Sequence, residues 1–316
     1  MPYKLSQDLP VPLPKNDRTG YIGGSDIAAV LGLSRWKTPL QVWAEKTGNL
    51  IPEDIGHKLH VRLGIKLEAT VCDLFTEETG KKVARVNEAL VHPKYPFLRG
   101  MIDRRVVGEK SILEAKTTSS WNADKWEGDD NIPQDYILQT MFYMELAGAE
   151  RGYLACLVGN QGFHVKTIER DDKLQKEIIA KAVDFWTRYI EPKIMPTMIT
   201  SRDADTLYSL YPLGDEGEAI VLDDTANALV DTLLAYNADA KALENQIDKV
   251  KNDLRIMLKE HTSGVTDKWT ITWKNQETNR VNLKKLKDEK PEICAAYLEK
   301  SDSRVLRVKA LKGEKK

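Results

Sequence analysis

The chain has 316 residues, of which 41% are apolar and 30% charged, enough to bury a full core and leave an appendage. No apolar run approaches the roughly 18 residues of a membrane span, and the first residues lack an apolar signal core, so we expect no membrane contact and a cytoplasmic location. Cys72, Cys156 and Cys294 lie far apart, which predicts core or free thiols rather than disulfides or a metal cluster.

The net charge of −1 conceals an uneven distribution. Residues 263–316 hold 14 Lys and Arg against 8 Asp and Glu, a net charge of +6, which leaves 33 against 40, or −7, for residues 1–262. Contact with DNA usually depends on Lys and Arg side chains that neutralise phosphates. The acidic remainder suits such contact only if its carboxylates gather around metal ions and its positive potential is confined to a groove.

The N-terminal region combines an arm with helices. Prolines among the first seventeen residues predict an extended arm over residues 1–17. Residues 25–32 then predict a short helix with Ser25 as its N-cap, and residues 38–48 repeat the same pattern. This region therefore leads from an irregular arm into compact structure.

A long helix and a set of strands follow. Residues 57–79 keep a 3.6-residue apolar period up to Gly80, which predicts a long helix presenting Glu68. The next predicted elements are strands near 83–86, 89–92, 98–105 and 111–117, a helix over 133–148, strands over 152–158 and 163–168, and a helix over 171–190. This order predicts an α/β core.

A heptad repeat begins after this core. From Leu222 to Met257, apolar residues are spaced alternately four and three apart over five heptads. The predicted helix is about 50 Å long at 1.5 Å per residue, and its apolar stripe requires a partner helix. The alternative is a helix that lies on its own domain.

The C-terminal residues predict a small basic module. Trp269 to Trp273 alternate as a strand, residues 291–300 predict a short helix, and residues 305–308 predict a returning strand. Candidate phosphate contacts in this module are Lys284, Lys285 and Lys287. The alternative is a solvated, lysine-rich face.

The strongest chemical signal is a predicted hairpin that turns at Gly108. Its second strand places Glu114 and Lys116 on one face, and the hairpin can bring Asp103 beside them. Carboxylate oxygens are ligands that Mg²⁺ prefers, and a lysine can orient or deprotonate a water or neutralise charge on a phosphate. The alternative is an exposed hairpin carrying ordinary charges.

Helical residues add further candidates for the same chemistry. Glu68 could supply another metal oxygen, although a lone helical glutamate is usually a surface residue. Gln139 and Tyr143 lie one turn apart on one helix face, where a glutamine could hold the attacking water or a phosphate oxygen. The alternatives for this pair are a surface amide and a core tyrosine.

A glycine pair, Gly23-Gly24, lies between Arg18 and Ser25 near the start of a predicted helix. An arginine, a hydroxyl and free backbone amides at a helix N-terminus form a suitable site for a terminal phosphate. A plain serine N-cap is the alternative.

Together these motifs resemble the YqaJ-type viral recombinase family, relatives of the bacteriophage lambda exonuclease within the PD-(D/E)xK nuclease superfamily. The resemblance covers about residues 15–190 in five ordered motifs: Arg18 with Ile22-Gly23-Gly24-Ser25-Asp26-Ile27-Ala28, Gly64 with Glu68, Gly100-Met101-Ile102-Asp103, Leu113-Glu114-Ala115-Lys116-Thr117, and Gln139-Thr140-Met141-Phe142-Tyr143. One departure is that Ile102 replaces the superfamily's proline before the first aspartate.

The resemblance implies a restriction-endonuclease-like α/β core, a central mixed sheet flanked by helices. It also implies a function for each candidate. The counterparts of Asp103, Glu114 and Glu68 surround two Mg²⁺ ions, with Mn²⁺ as a substitute. Those of Lys116 and Gln139 serve the hydrolytic water, and those of Arg18 and Ser25 form a 5′-phosphate pocket.

The implied activity is 5′-to-3′ exonuclease digestion of linear double-stranded DNA, leaving 3′ overhangs for a single-strand annealing protein. By analogy, the chain forms a ring-shaped homotrimer in the cytoplasm of a bacterial host, with phage or prophage origin. The expected domains are an arm (1–17), an exonuclease domain (18–204), a linker with the heptad helix (205–262) and the basic module (263–316).

Two alternatives belong to other classes. The first is a Cas4-like or helicase-associated nuclease, which the scattered cysteines fit poorly because such proteins carry an iron–sulfur cluster. The second is a non-catalytic DNA-binding or scaffold protein in which the coiled coil carries the function. The intact Asp103, Glu114 and Lys116 argue against this second reading.

Overall fold

The computed structural model describes residues 19–128, 131–214, 217, 219–299 and 303–311. The chain divides into two compact units, Met1–Pro212 and Leu213–Lys316. The predicted arm of residues 1–17 and the candidate Arg18 lie outside the described residues.

The first unit alternates helices and strands. Its helices are α1 (Gly24–Val30), α2 (Pro39–Lys46), α3 (Leu59–Thr79), α4 (Gln134–Ala147), α5 (Asp172–Phe185) and α6 (Ala204–Leu210). Its strands are β1 (Val83–Arg85), β2 (Leu90–Val91), β3 (Arg99–Gly100), β4 (Arg104–Val106), β5 (Ser111–Thr118), β6 (Arg151–Val158) and β7 (Gly162–Glu169). A 3₁₀ turn, Ser120–Lys125, follows β5, a π turn, Trp186–Ile190, continues α5, and a 3₁₀ turn, Ser201–Asp203, precedes α6.

A mixed five-stranded sheet forms the centre of this unit, with strand order β1-β4-β5-β6-β7. Strands β5 and β6 are parallel, whereas the other neighbours in this sheet pair antiparallel. The predicted turn between β4 and β5 contains Gly108 at φ 82°, a left-handed conformation that glycine adopts at little cost. A short antiparallel pair, β2 and β3, lies apart from this sheet.

Alternation along β5 directs its side chains into two layers of core. Leu113 packs in one cluster with Val71 and Phe75 of α3. Ile112 packs in the other, which includes Phe142 of α4 and residues of α1, α2 and α5. The sheet therefore lies between helices, which confirms the predicted α/β fold with a restriction-endonuclease-like core.

Two local predictions in this unit are wrong. The N-cap of α1 is Gly23, and Ser25 lies inside the helix, because the Asp26 carboxylate accepts the Gly23 backbone N–H at 3.1 Å and satisfies the helix start. The single strand predicted over residues 98–105 is broken at residues 101–103, between β3 and β4.

The second unit contains a long helix followed by short elements. These are α7 (Asp224–Leu258), β8 (Ser263–Val265), β9 (Thr270–Thr272), α8 (Leu283–Glu289) and α9 (Pro291–Ala296). The N-cap Asp223 accepts the Thr225 N–H at 2.9 Å at the start of α7. The strand predicted over 305–308 is wrong: β9 pairs with β8, which the sequence analysis missed. Within the described residues, no helix is both long and apolar enough to span a bilayer.

Candidate active site

Asp103 lies just before β4, where the pairing between β4 and β5 ends. β4 pairs with β5 only through Arg104 and Arg105. Further towards the C-terminal end of β5, the backbone N–H of Ala115 therefore has no partner on β4. The Asp103 carboxylate takes that place, accepting the Ala115 N–H at 2.8 Å. A backbone donor that is partly shielded from water is stabilised by an acceptor, and this hydrogen bond holds the carboxylate beside β5.

Glu114 and Lys116 point to one face of β5, as their spacing predicts. The Lys116 ammonium donates to Glu114 Oε2 at 3.1 Å. Glu114 is 1% exposed, whereas Lys116 is partly exposed. Solvent therefore reaches the buried Glu114 carboxylate from the side of the site where Lys116 lies.

Helix α4 completes this cluster. Gln139 donates its amide N–H to Glu114 Oε2 at 3.1 Å and accepts from Lys116 Nζ at 3.4 Å. One turn earlier, the ring of Tyr136 lies 5.3 Å from Lys116 Nζ, a cation–π distance. These contacts hold the ammonium between a carboxylate, an amide and an aromatic face.

Tyr143 lines the same cavity as the charged cluster, and its ring also positions α4. A Cβ atom added at Gly24 would lie 2.5 Å from its ring, and one added at Gly100 would lie 2.6 Å from it. The ring is therefore packed between two backbones that only glycine allows so close. This packing ties α1, β3 and α4 together near Asp103.

Glu68 is held by a residue that the sequence analysis did not single out. Arg104 Nη1 donates to Glu68 Oε1 at 2.7 Å, so an ion pair occupies the glutamate. Glu68, Asp103 and Glu114 nevertheless line one cavity of about 330 Å³ together with Lys116 and Gln139. Arg104 and Tyr136 are the site residues that the sequence analysis missed. The signal for Tyr136 was its position one turn before Gln139.

The electrostatics of the cluster reflect burial. Burial raises the pKa of Glu114 to about 7 and also raises the pKa of Asp103, in both cases against the attraction of Lys116. For Lys116, burial acts to lower the pKa, but attraction to Glu114 and Asp103 outweighs it and the pKa is raised. The lysine is therefore an ammonium at neutral pH, whereas Glu114 is near its midpoint.

The donor set fits a hard divalent cation. Glu114 Oε1 is buried and has no hydrogen-bond partner among the described residues. An orphaned carboxylate oxygen is costly in a protein interior unless a cation or proton compensates it. Within the described ranges, no three His, Cys, Asp or Glu side chains form a ready-made metal cluster. Asp103 and Glu114 line the cavity with Glu68, whose carboxylate is held by Arg104.

The predicted phosphate pocket is only partly described. Ser25 is exposed in the first turn of α1. Arg18 lies outside the described residues, so its position relative to Ser25 stays a prediction.

The described cysteines are free, and Cys72 and Cys156 lie in separate core clusters.

The fold and the clustered Asp, Glu, Lys and Gln define a protein of the restriction-endonuclease-like α/β class. Residues 15–150 match the model of the YqaJ-like viral recombinase domain. The chain is also 35% identical over 280 residues to the uncharacterized protein YqaJ of Bacillus subtilis strain 168, covering 88% of this chain and 87% of that protein. The chain belongs to the YqaJ-like viral recombinase family.

Solved structures with a similar fold include the alkaline exonuclease LHK-Exo of Laribacter hongkongensis. It is 20% identical, with a TM-score of 0.48, and covers 60% of this chain and 96% of the exonuclease. Its complex with dAMP is 21% identical over the same shares, with a TM-score of 0.49. A phage-related exonuclease from Haemophilus somnus 129PT is 16% identical, with a TM-score of 0.38, and covers 54% of this chain and 96% of that chain.

Proposed function

We propose that the chain is a metal-dependent deoxyribonuclease that hydrolyses phosphodiester bonds. The observation that carries the proposal is the convergence of Asp103, Glu114, Lys116 and Gln139 on one cavity, with a buried Glu114 oxygen that has no partner among the described residues. An ordinary exposed hairpin would leave these charges solvated and apart. Membership of the YqaJ-like viral recombinase family supports the same function.

Asp103 and Glu114 would hold the metal, and Glu68 would join them on leaving Arg104. Their oxygens suit Mg²⁺, with Mn²⁺ as a substitute, and room for a second ion depends on Glu68. A bound cation would supply Lewis acidity that stabilises the negative charge building on the scissile phosphate.

The protein's own groups position the water and the phosphate. Lys116 Nζ carries three donor hydrogens and is anchored by Glu114 and Gln139, so it can donate to a phosphate oxygen or to the attacking water. Its raised pKa favours charge neutralisation over proton abstraction. The Gln139 amide offers both a donor and an acceptor, which suits orientation of a water molecule.

The finer proposal concerns the substrate. We infer a 5′-to-3′ exonuclease on linear duplex DNA, in the cytoplasm of a bacterial host, that leaves 3′ overhangs for a single-strand annealing protein. The resemblance in motif order supports this polarity, and the same resemblance implies a 5′-phosphate pocket at Arg18 and Ser25. A ring-shaped trimer would retain the DNA through many cycles.

Nucleotide release from linear duplex DNA labelled at either end tests the proposal, beside covalently closed circles. We expect release from the 5′ end of linear DNA in Mg²⁺ and none in EDTA or from circles. Lys116→Ala and Lys116→Gln should be nearly inactive, whereas Lys110→Ala, an exposed lysine paired with Glu150, should match the wild type.

Three results would each refute one part of this proposal. Undiminished digestion by Lys116→Ala in Mg²⁺ would refute the site. Release from 3′ ends would refute the polarity alone. Equal rates on 5′-phosphate and 5′-hydroxyl ends would refute the pocket, since loss of the Arg18 contact should cost about one to two decades in rate.

A further inference from the structure

Among the described residues, the apolar stripe of α7 is exposed to solvent along most of its length. Leu229 exposes 67% of its surface, Tyr236 68% and Met257 77%. Within α7 the buried residue is Leu258, beside Gly264 of β8. A continuous heptad stripe of this size is unfavourable in water and indicates a partner helix.

We propose that α7 pairs with α7 of a second copy of this chain, as an antiparallel two-stranded coiled coil. The sequence pattern assigns the heptad positions. The a positions are Ala226, Leu233, Ala240, Ile247 and Leu254, and the d positions are Leu229, Tyr236, Leu243, Val250 and Met257.

The antiparallel register matches small residues with large ones. In this geometry an a residue of one helix faces a d residue of the other. Placing Ala240 opposite Leu243 at the centre gives the further layers Ala226–Met257, Leu229–Leu254, Leu233–Val250 and Tyr236–Ile247. The centre of these layers is also the middle of α7 (Asp224–Leu258), so the two helices overlap over their whole length.

The surface of α7 has a depression at the place where this register requires one to receive a side chain of the second helix. Leu243, Gln246, Ile247 and Val250 line an apolar depression on the helix. These are consecutive d, g, a and d positions, the four residues that receive one knob in a coiled coil. In the proposed register that knob is Tyr236 of the second copy, the largest side chain of the seam.

Charges flanking the seam favour the same orientation. In a parallel dimer Asp239 at g would face Glu244 at e of the second helix, a repulsive pair present twice. In the antiparallel register Asp239 faces Gln246 and Glu244 faces Asn237, so no like charges meet. A parallel dimer would also stack Ala240 on itself and leave that layer underfilled.

The first test measures the mass of the full chain by light scattering. Ile247→Asp places a charge in the a/d seam and should halve the mass, from dimer to monomer or, if the chain also forms the proposed ring-shaped trimer, from two linked trimers to one. Asn245→Asp, with the same charge change at the outward f position, should leave the mass unchanged. Equal thermal unfolding of the two variants' first unit checks that the rest of the fold is intact. A wild-type chain that is monomeric at micromolar concentration, or a mass unaffected by Ile247→Asp, would overturn the proposal.

The second test determines orientation by cysteine cross-linking in a Cys294→Ser background. Ala226→Cys and Met257→Cys chains are mixed, allowed to exchange subunits and oxidised. The mixture should give a disulfide-linked dimer, because these positions share a layer, while either chain alone should give none. A cross-link with Ala226→Cys alone would mean a parallel pair and overturn the antiparallel assignment. Both tests are independent of nuclease activity.

Discussion

Glu114 is the site residue whose charged form is least stable without a cation. Burial raises its pKa from an ordinary 4.5 to about 7, so the folded chain binds this proton more tightly than the unfolded chain. The contribution of this group to folding stability is therefore full below about pH 4.5 and is lost as pH rises towards 7. Divalent cation should reverse the loss, because it favours the carboxylate.

Glu114→Gln should abolish cleavage while leaving stability level or raised. In EDTA at pH 8 the variant avoids the cost of a buried carboxylate, so its melting temperature should equal or exceed that of the wild type. The difference should vanish about one pH unit below 4.5, where Glu114 is protonated in both the folded and the unfolded state. Thermal scans across this pH range provide the measurement.

Glu109→Gln is the control for this effect. The pKa of Glu109 is lowered, chiefly by its hydrogen bond to Lys81, so removal of its charge should not stabilise the chain at pH 8. A Glu114→Gln variant that melts well below the wild type at pH 8 would contradict the burial argument. Asp103→Asn should also be inactive, because it removes a carboxylate charge proposed to hold the metal. It should remain folded, because its amide oxygen can still accept the Ala115 N–H.

Arg104 competes with metal for Glu68. Arg104→Met should free the glutamate and tighten Mg²⁺ binding by about two- to fivefold, given the modest strength of a partly exposed ion pair. Isothermal titration of the metal measures this change without DNA. The matched control is Arg105→Met, which makes the same substitution at the exposed neighbour in β4. Equal or weaker binding by Arg104→Met would show that Glu68 does not serve the metal.

At the scale of elements, the packing of Tyr143 joins α1, β3 and α4. Gly100→Ala would place a Cβ atom 2.6 Å from the ring, so α4 must shift and carry Gln139 away from Glu114. We expect a loss of about 1 to 3 kcal/mol in unfolding free energy from overpacking, together with reduced cleavage. Urea unfolding measures the first effect, and nucleotide release measures the second.

A second glycine provides the comparison. Gly64 lies inside α3, and an added Cβ would meet its nearest neighbour, Thr117 Oγ1, at an ordinary 3.6 Å. Gly64→Ala should therefore stabilise the chain by about 0.5 to 1 kcal/mol through helix propensity. Partial recovery of stability in a Gly100→Ala, Tyr143→Leu double variant would locate the strain at the ring. If the double variant recovers no stability, the strain lies elsewhere.

The sequence predicted an element correctly where its apolar pattern and its interaction partners lie close together along the chain. Apolar periodicity located α3 and α7, and strand alternation correctly put Glu114 and Lys116 on one face. The break at residues 101–103 was missed, because β propensity continues through Ile102 and only the tertiary bond from Ala115 to Asp103 marks where pairing stops. The Arg104–Glu68 pair was missed for the same reason, since it joins a strand to a helix far away in sequence.

At the scale of the molecule, the first unit ends later than the sequence predicted. Asp203 accepts from Thr38 Oγ1, and Thr206, Leu207 and Leu210 pack in or against the first unit's core. A chain ending after Pro212 should fold like the full first unit, whereas one ending after residue 204 should lose about 2 to 4 kcal/mol of stability with this apolar packing. Thermal unfolding of the two truncations, followed by circular dichroism, distinguishes them, and equal melting temperatures would refute a structural role for α6.

The basic module of residues 263–316 is expected to hold DNA through particular lysines of α8. Lys284 and Lys287 are three residues apart and share a helix face, while Lys285 lies on another side and pairs with Glu289 at 3.7 Å. If the first two contact phosphates, replacing both with alanine should reduce the magnitude of the salt dependence of DNA binding by up to about 1.8, at about 0.9 per contact. Lys285→Ala is the matched control and should leave the slope unchanged. An unchanged slope for the double variant in a titration across a salt series would mean that these lysines only solubilise the module, and its function would then lie in protein contacts.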